Sequence, residues 1–134
     1  MGLALLDSSV VVAFLSSGDT LHGAADTAVR DAVREHGLAV STVTIAEVLT
    51  GAKLGHHDEA IIGRFFAEVV GTRFPVDDGV AERAAELRAA NRRLRMADAL
   101  ILATGDLHAD FVLTGDAGWA RVRGVECTVS AIGG

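Results

Sequence analysis

The sequence predicts an α/β fold: a central, mainly parallel sheet with helices on both faces. Short apolar runs of strand length alternate with longer segments of helical periodicity, the pattern of successive strand–helix–strand units. The first run, "GLALLD", is continuously apolar up to its terminal acid, as a strand buried on both faces is. Half of the 134 residues are hydrophobic, enough to bury a core, and no repeat, linker or low-complexity stretch divides the chain. Residues 1–134 therefore read as a single domain. With no Tyr, five Phe and one Trp, its core must be aliphatic.

After "GLALLD", "SSVVVAFLSSG" has Ser8 or Ser9 as a helix cap and Gly18 as a stop, although its three valines suit a strand equally. "LHGAADTAVRDAVREHG" places Leu21, Ala25, Ala28, Val29, Ala32 and Val33 on one helical face and ends at Gly37. "LAVS" is a second strand. "TVTIAEVLTGAKLG" is a helix ending near Gly51 or Gly55. "HDEAIIGRFFAEVVG" is another, with Ile61, Ile62, Phe65, Phe66 and Val69 along its apolar side. "TRFPVD" is a third strand, and Pro75, the chain's one proline, puts it at an edge or marks its end. "DGVAERAAELRAANRRL" and "MADALILATGDLH" are helices. "ADFVLTGD" and "VECTVSAI" are the last two strands.

Composition narrows the function. The net charge of −6 argues against binding nucleic acid through bulk charge, but not against an enzyme whose metal ions offset a local acidic cluster. The lone Cys127 forms no internal disulfide, which fits a reducing compartment. The apolar N-terminal stretch lacks a basic leader and is interrupted by Asp7, unlike a secretory signal. No apolar run reaches the roughly 18 to 20 residues of a membrane span. A cytoplasmic protein with no membrane attachment is expected.

Four carboxylates stand where chemistry is expected. In open α/β sheets, ligands bind outside the carboxyl ends of the strands. Asp7 and Asp116 follow two strands directly. Glu47 lies one turn into the helix after "LAVS", and Asp98 lies in the first turn of "MADALILATG". Each has an ordinary explanation too. Asp7 could cap the next helix, and Thr44-Ile45-Ala46-Glu47 matches a capping box. Asp98 suits a helix dipole, and Asp116 suits a Gly-Asp turn. Together they suggest more. Clustered carboxylates repel unless a cation joins them, and hard oxygen ligands suit Mg²⁺ or Mn²⁺. Carboxylates sharing such ions can activate a water and stabilise a leaving oxygen, the chemistry of phosphodiester hydrolysis.

"LLDSSVVVAFL", "STVTIAEVLTG", "RMADALILATG" and "FVLTGDAGWARV" occur in that order at suitable spacing. Together they resemble the four acidic motifs of PIN-domain ribonucleases, and most closely the VapC-type toxins of bacterial toxin–antitoxin pairs. The resemblance spans essentially the whole chain. Met96 replaces a more usual small residue or proline, and Trp119 stands where Phe is usual. The resemblance implies a three-layer PIN-like fold and settles "SSVVVAFL" as a helix. It implies a Mg²⁺- or Mn²⁺-dependent endoribonuclease leaving 5′-phosphate and 3′-hydroxyl ends. Asp7, Glu47, Asp98 and Asp116 would be its metal-binding acids, and Thr114 would orient them. It further implies a homodimer and a cognate antitoxin covering the acidic site.

The remaining polar clusters carry less. His56, His57, Asp58 and Glu59 match no ligand spacing and read as a solvated helix start. Asp106, His108 and Asp110 read as surface polar residues at a helix-to-strand turn, with His108 a ligand candidate. Cys127 reads as a buried structural thiol. Arg88, Arg92, Arg93 and Arg95 form the densest basic patch, either a solvated helix face or a contact for the RNA backbone. Arg92, Arg93 and Arg95, just before Asp98, are the RNA candidates. Two rival functions remain. One is a non-catalytic PIN-like module that binds RNA or protein. The other is a phosphotransfer domain built on Asp7. Against the latter, Ser9 stands where a phosphatase needs a second Asp, and the chain's one lysine, Lys53, is not placed as in a receiver.

Overall fold

The computed structural model describes residues 2–133, so both ends of the expected 1–134 span lie outside the described residues. The chain runs β1 (Leu3–Leu6), α1 (Ser8–Leu15), α2 (His22–Glu35), β2 (Gly37–Ser41), α3 (Thr42–Lys53), α4 (Glu59–Glu68), β3 (Thr72–Phe74), α5 (Asp78–Ala90), α6 (Met96–His108), β4 (Phe111–Thr114), a 3₁₀ turn (Ala117–Arg121) and β5 (Thr128–Ala131). The five strands form one parallel sheet in the order β3-β2-β1-β4-β5.

Strand periodicity divides the core in two. Ala4 and Leu6 of β1, Leu38 and Val40 of β2, and Leu113 of β4 face α1–α4. Their alternate neighbours Leu5, Ala39 and Val112 face α5 and α6. This gives three layers, helices on sheet on helices, because each central strand is apolar on both sides. Gly105 lets α6 lie close to the sheet: a Cβ there would stand 2.5 Å from Val112 Cγ2. Among the described residues no helix is long and apolar enough to cross a membrane.

Several local expectations are corrected. Of the cap candidates Asp7, Ser8 and Ser9, Asp7 takes the role at α1, its carboxylate accepting from Ser8 N, and the helix stops at Leu15 rather than at Gly18. Its valines are accommodated because Val10 and Val11 are fully buried against the sheet, so packing outweighs their strand propensity. Val33, Ile61 and Val69, expected on core faces, are 51%, 49% and 41% exposed. The basic stretch after α5 is not a helix face. The helix ends at Ala90, where the Asn91 side chain bonds Leu87 O and both the N–H and the carbonyl of Arg123. β3 and β5 are the short outer strands, which suits Pro75 just past β3.

Asp106 is the largest departure. Its side chain is 1% exposed, paired with Arg83 at 2.9 Å, and it accepts from Glu126 N and Cys127 N. Of its sequence neighbours, His108 stacks on Phe74 and Asp110 accepts from Leu3 N. Cys127 is half-buried, and burial, then the hydrogen bond and charge of Asp106, push its thiol up to about 12. The folded value lies above the thiol's ordinary 9.0. Its stabilising contribution is therefore whole below pH 9 and is lost as pH rises toward 12. At pH 8 a disulfide reagent should modify native Cys127 at least about tenfold more slowly than the unfolded chain. Equal rates would show an accessible thiol.

Candidate functional site

The strand order reverses at β1: the chain moves outward to β2 and β3, then returns to β4 on the other side. The crevice past the carboxyl ends of β1 and β4 is therefore the topological switch point. A cleft of about 400 Å³ opens there, and Asp7, Glu47, Asp98 and Asp116 all line it.

Asp7 is 6% exposed. One carboxylate oxygen accepts from Ser8 N at 2.7 Å, and the other from Ser9 Oγ at 2.7 Å and Thr114 Oγ1 at 2.9 Å. Burial pushes its pKa up. The three hydrogen bonds oppose that shift, and the charge of Asp98 adds to it. The same two hydroxyls fasten the exit of β4: Thr114 Oγ1 accepts from Asp116 N and Ser9 Oγ from Gly115 N. Asp116 then caps the 3₁₀ turn by accepting from Gly118 N. Trp119 is buried in the core beside α5 and α6, anchoring the turn.

Glu47 does not close a capping box. Ser41 caps α3, accepting from Val43 N, while buried Thr44 donates to Leu6 O and ties the helix to the end of β1. Glu47 is left facing the cleft, where Oε1 accepts from Ser8 Oγ at 2.5 Å. Asp98 is 8% exposed in the first turn of α6, which has no side-chain cap. It forms a two-pronged pair with Arg95 at 3.1 and 3.2 Å. Asp98 foremost, then the charges of Glu47 and Asp7, hold the guanidinium protonated.

The four acids, expected at this end of the sheet, line one cleft, and Thr114, implied by the resemblance, borders it. Ser8 and Ser9, only cap candidates by sequence, belong to the site too; hydroxyls next to a strand-end acid are the signal that marks them. Arg92 and Arg93 lie outside the cleft, beside a separate groove.

The donors suit a hard divalent cation: they are all oxygen, two of the acids are buried, and among the described residues Arg95 is the one basic side chain on the cleft wall. Arg95 already acts as a counter-charge where such an ion would help. Among the described residues no three His, Cys, Asp or Glu side chains stand ready in ligating positions. Asp98 is turned to Arg95 and Glu47 to Ser8.

A PIN-domain family model matches residues 4–125. No curated protein matches the sequence. Among solved structures, a VapBC2 complex from Rickettsia felis bound to a promoter DNA fragment aligns at TM-score 0.76 and 12% identity, covering 97% of this chain and 98% of that one. A toxin–antitoxin complex from Klebsiella pneumoniae aligns at TM-score 0.72 and 28% identity, covering 96% of each chain. VapC20 from Mycobacterium tuberculosis, a toxin that cleaves the sarcin–ricin loop, aligns at TM-score 0.69 and 19% identity, over 90% of this chain and 95% of that one. With its four acids gathered past the ends of β1 and β4, this chain belongs to the PIN-domain family and has the fold of VapC toxins.

Proposed function

We propose that this protein is a Mg²⁺- or Mn²⁺-dependent endoribonuclease and the toxin of a toxin–antitoxin pair. The convergence of Asp7, Glu47, Asp98 and Asp116, from four separate elements, on one cleft carries the proposal. Asp7, Asp98 and Asp116 would hold the ion, with Glu47 completing the set. A bound ion would supply Lewis acidity, lowering the pKa of an attacking water and offsetting charge on the scissile phosphate. Ser9 and Thr114 hold Asp7 in one orientation and link it to the loop of Asp116. Ser8 aims Glu47.

The proposal includes an antitoxin partner, supported by relatives solved as toxin–antitoxin complexes. It also includes a homodimer in the cytoplasm. The experiment is RNA hydrolysis by the purified protein: cleavage with Mg²⁺ or Mn²⁺, none with EDTA. Undiminished cleavage in EDTA would remove the metal from the proposal.

One observation favours the rival reading, a non-catalytic binding module: Arg95, not a ready-made ligand triad, meets Asp98. Calorimetric titration separates the two. If Arg95 competes with a metal, Arg95→Gln should tighten Mn²⁺ binding about two- to fivefold, because an exposed ion pair contributes ~0.5–1 kcal/mol. No Mn²⁺ binding by either protein would favour the module.

A further inference from the structure

Beside the acidic cleft lies a second groove, of about 460 Å³, with no acidic residue on its wall among the described residues. Arg92 and Arg93 line it from the turn after α5, and Arg121 and Arg123 line it from the 3₁₀ turn and the loop after it. All four are exposed. Among the described residues none of the four makes a side-chain hydrogen bond or ion pair. Arg30, Arg34, Arg64, Arg83 and Arg95 all pair with acids. In a chain of net charge −6, four adjacent unpaired guanidinium groups form a local exception.

The groove is held in place by its own backbone. Asn91 bonds the N–H and the carbonyl of Arg123, tying together arginine pairs about thirty residues apart. Arg88 donates to Leu94 O and fixes the turn that carries Arg92 and Arg93. Arg83 donates to Gly124 O, and Asp106 accepts from Glu126 N and Cys127 N, so the next residues are pinned as well. The groove adjoins the cleft: Gly118 lines the groove, while its neighbours Ala117 and Trp119 line the cleft.

We propose that this groove binds the phosphate backbone of single-stranded RNA and leads it into the acidic cleft. The assignment of RNA rests on the nuclease proposal above. Guanidinium groups take phosphate oxygens in a two-pronged fashion and keep their charge at any working pH. The groove supplies the positive potential that the acidic cleft lacks. Arg121 and Arg123 join Arg92 and Arg93 as contacts, whereas Arg95 is engaged by Asp98.

The test uses the full-length protein, a short fluorescein-labelled single-stranded RNA, and EDTA to prevent cleavage. Anisotropy gives affinity at several salt concentrations. Arg121→Gln/Arg123→Gln should weaken binding about tenfold or more at low salt, and should reduce the slope of log K against log salt by about 1.4, or 0.7 per lost phosphate contact. Arg30→Gln/Arg64→Gln removes the same charge from α2 and α4 and should leave affinity unchanged. Wild-type affinity in the groove variant, or equal weakening in the control, would overturn the proposal. So would unchanged RNA binding with loss of a protein partner. Groove-dependent binding without cleavage in Mg²⁺ or Mn²⁺ would sink the nuclease proposal and leave the groove standing. Cleavage with groove-independent binding would do the reverse.

Discussion

Asp98→Asn is expected to lower the rate of RNA cleavage on the order of a thousandfold, above the roughly 10- to 100-fold typical of residues that only orient a metal ligand. The substitution preserves shape and removes one negative charge from a side chain only 11% exposed in the first turn of α6. The stability cost should be small. The Arg95 partner is 75% exposed, so their pair contributes about 1 kcal/mol at most. The helix dipole loses a favourable charge of similar size, while Asp7 is relieved of a like charge that raises its pKa. Activity and stability should therefore separate: cleavage collapses while the melting temperature moves by a few degrees. Cleavage is read by single-turnover assay and folding by thermal denaturation. Cleavage within a few-fold of wild type would take Asp98 out of the metal site.

That Asp98 could be singled out from sequence reflects how the fold exposes its chemistry. Asp7 follows β1 directly and Asp116 follows β4 by one glycine, and in a parallel sheet every such position faces the same end. The helix of Glu47 begins right after β2, so its second turn is still near that end. Local pattern and fold agree there. They part where long-range contacts decide. The Ala-rich helix runs on to Leu94 by pattern, yet Asn91 ends it by binding Arg123, a partner no local window contains. Thr44 and Glu47 match a capping box, but the helix starts one residue past buried Ser41, which takes the cap. Ser8 and Ser9 suit a cap, but Asp7 serves it, which frees their hydroxyls for Glu47 and for Asp7 itself. Ile61 and Val69 lie on an apolar side wider than the neighbouring α3 and α1 cover.

Asp106 gives the second large effect. By sequence it is one of three polar residues at a turn, but in the fold it accepts four hydrogen bonds: Arg83 Nε at 3.1 Å, Arg83 Nη2 at 2.9 Å, and Glu126 N and Cys127 N, both at 2.9 Å. Asp106→Asn should destabilise the protein by about 3 kcal/mol, the low end for a broken buried pair, because Arg83 keeps Glu86 and Gly124 O as partners. Asn offers one oxygen where two are used, and its NH₂ points a donor at a donor. Either Arg83, 18% exposed, falls back on exposed Glu86 and Gly124 O alone, or the two backbone N–H groups go unpaired. Urea unfolding measures the loss. Cys127 reports where it falls. Asp106 contributes to the upward shift of its thiol, so the variant's native thiol should become more acidic and react faster at pH 8. Stability lost with Cys127 as slow as in the wild type would mean that Asp106 acts through Arg83 alone. Unchanged stability would mean that the pair's desolvation already cancels its attraction, leaving the loop after the 3₁₀ turn to be held by Asn91.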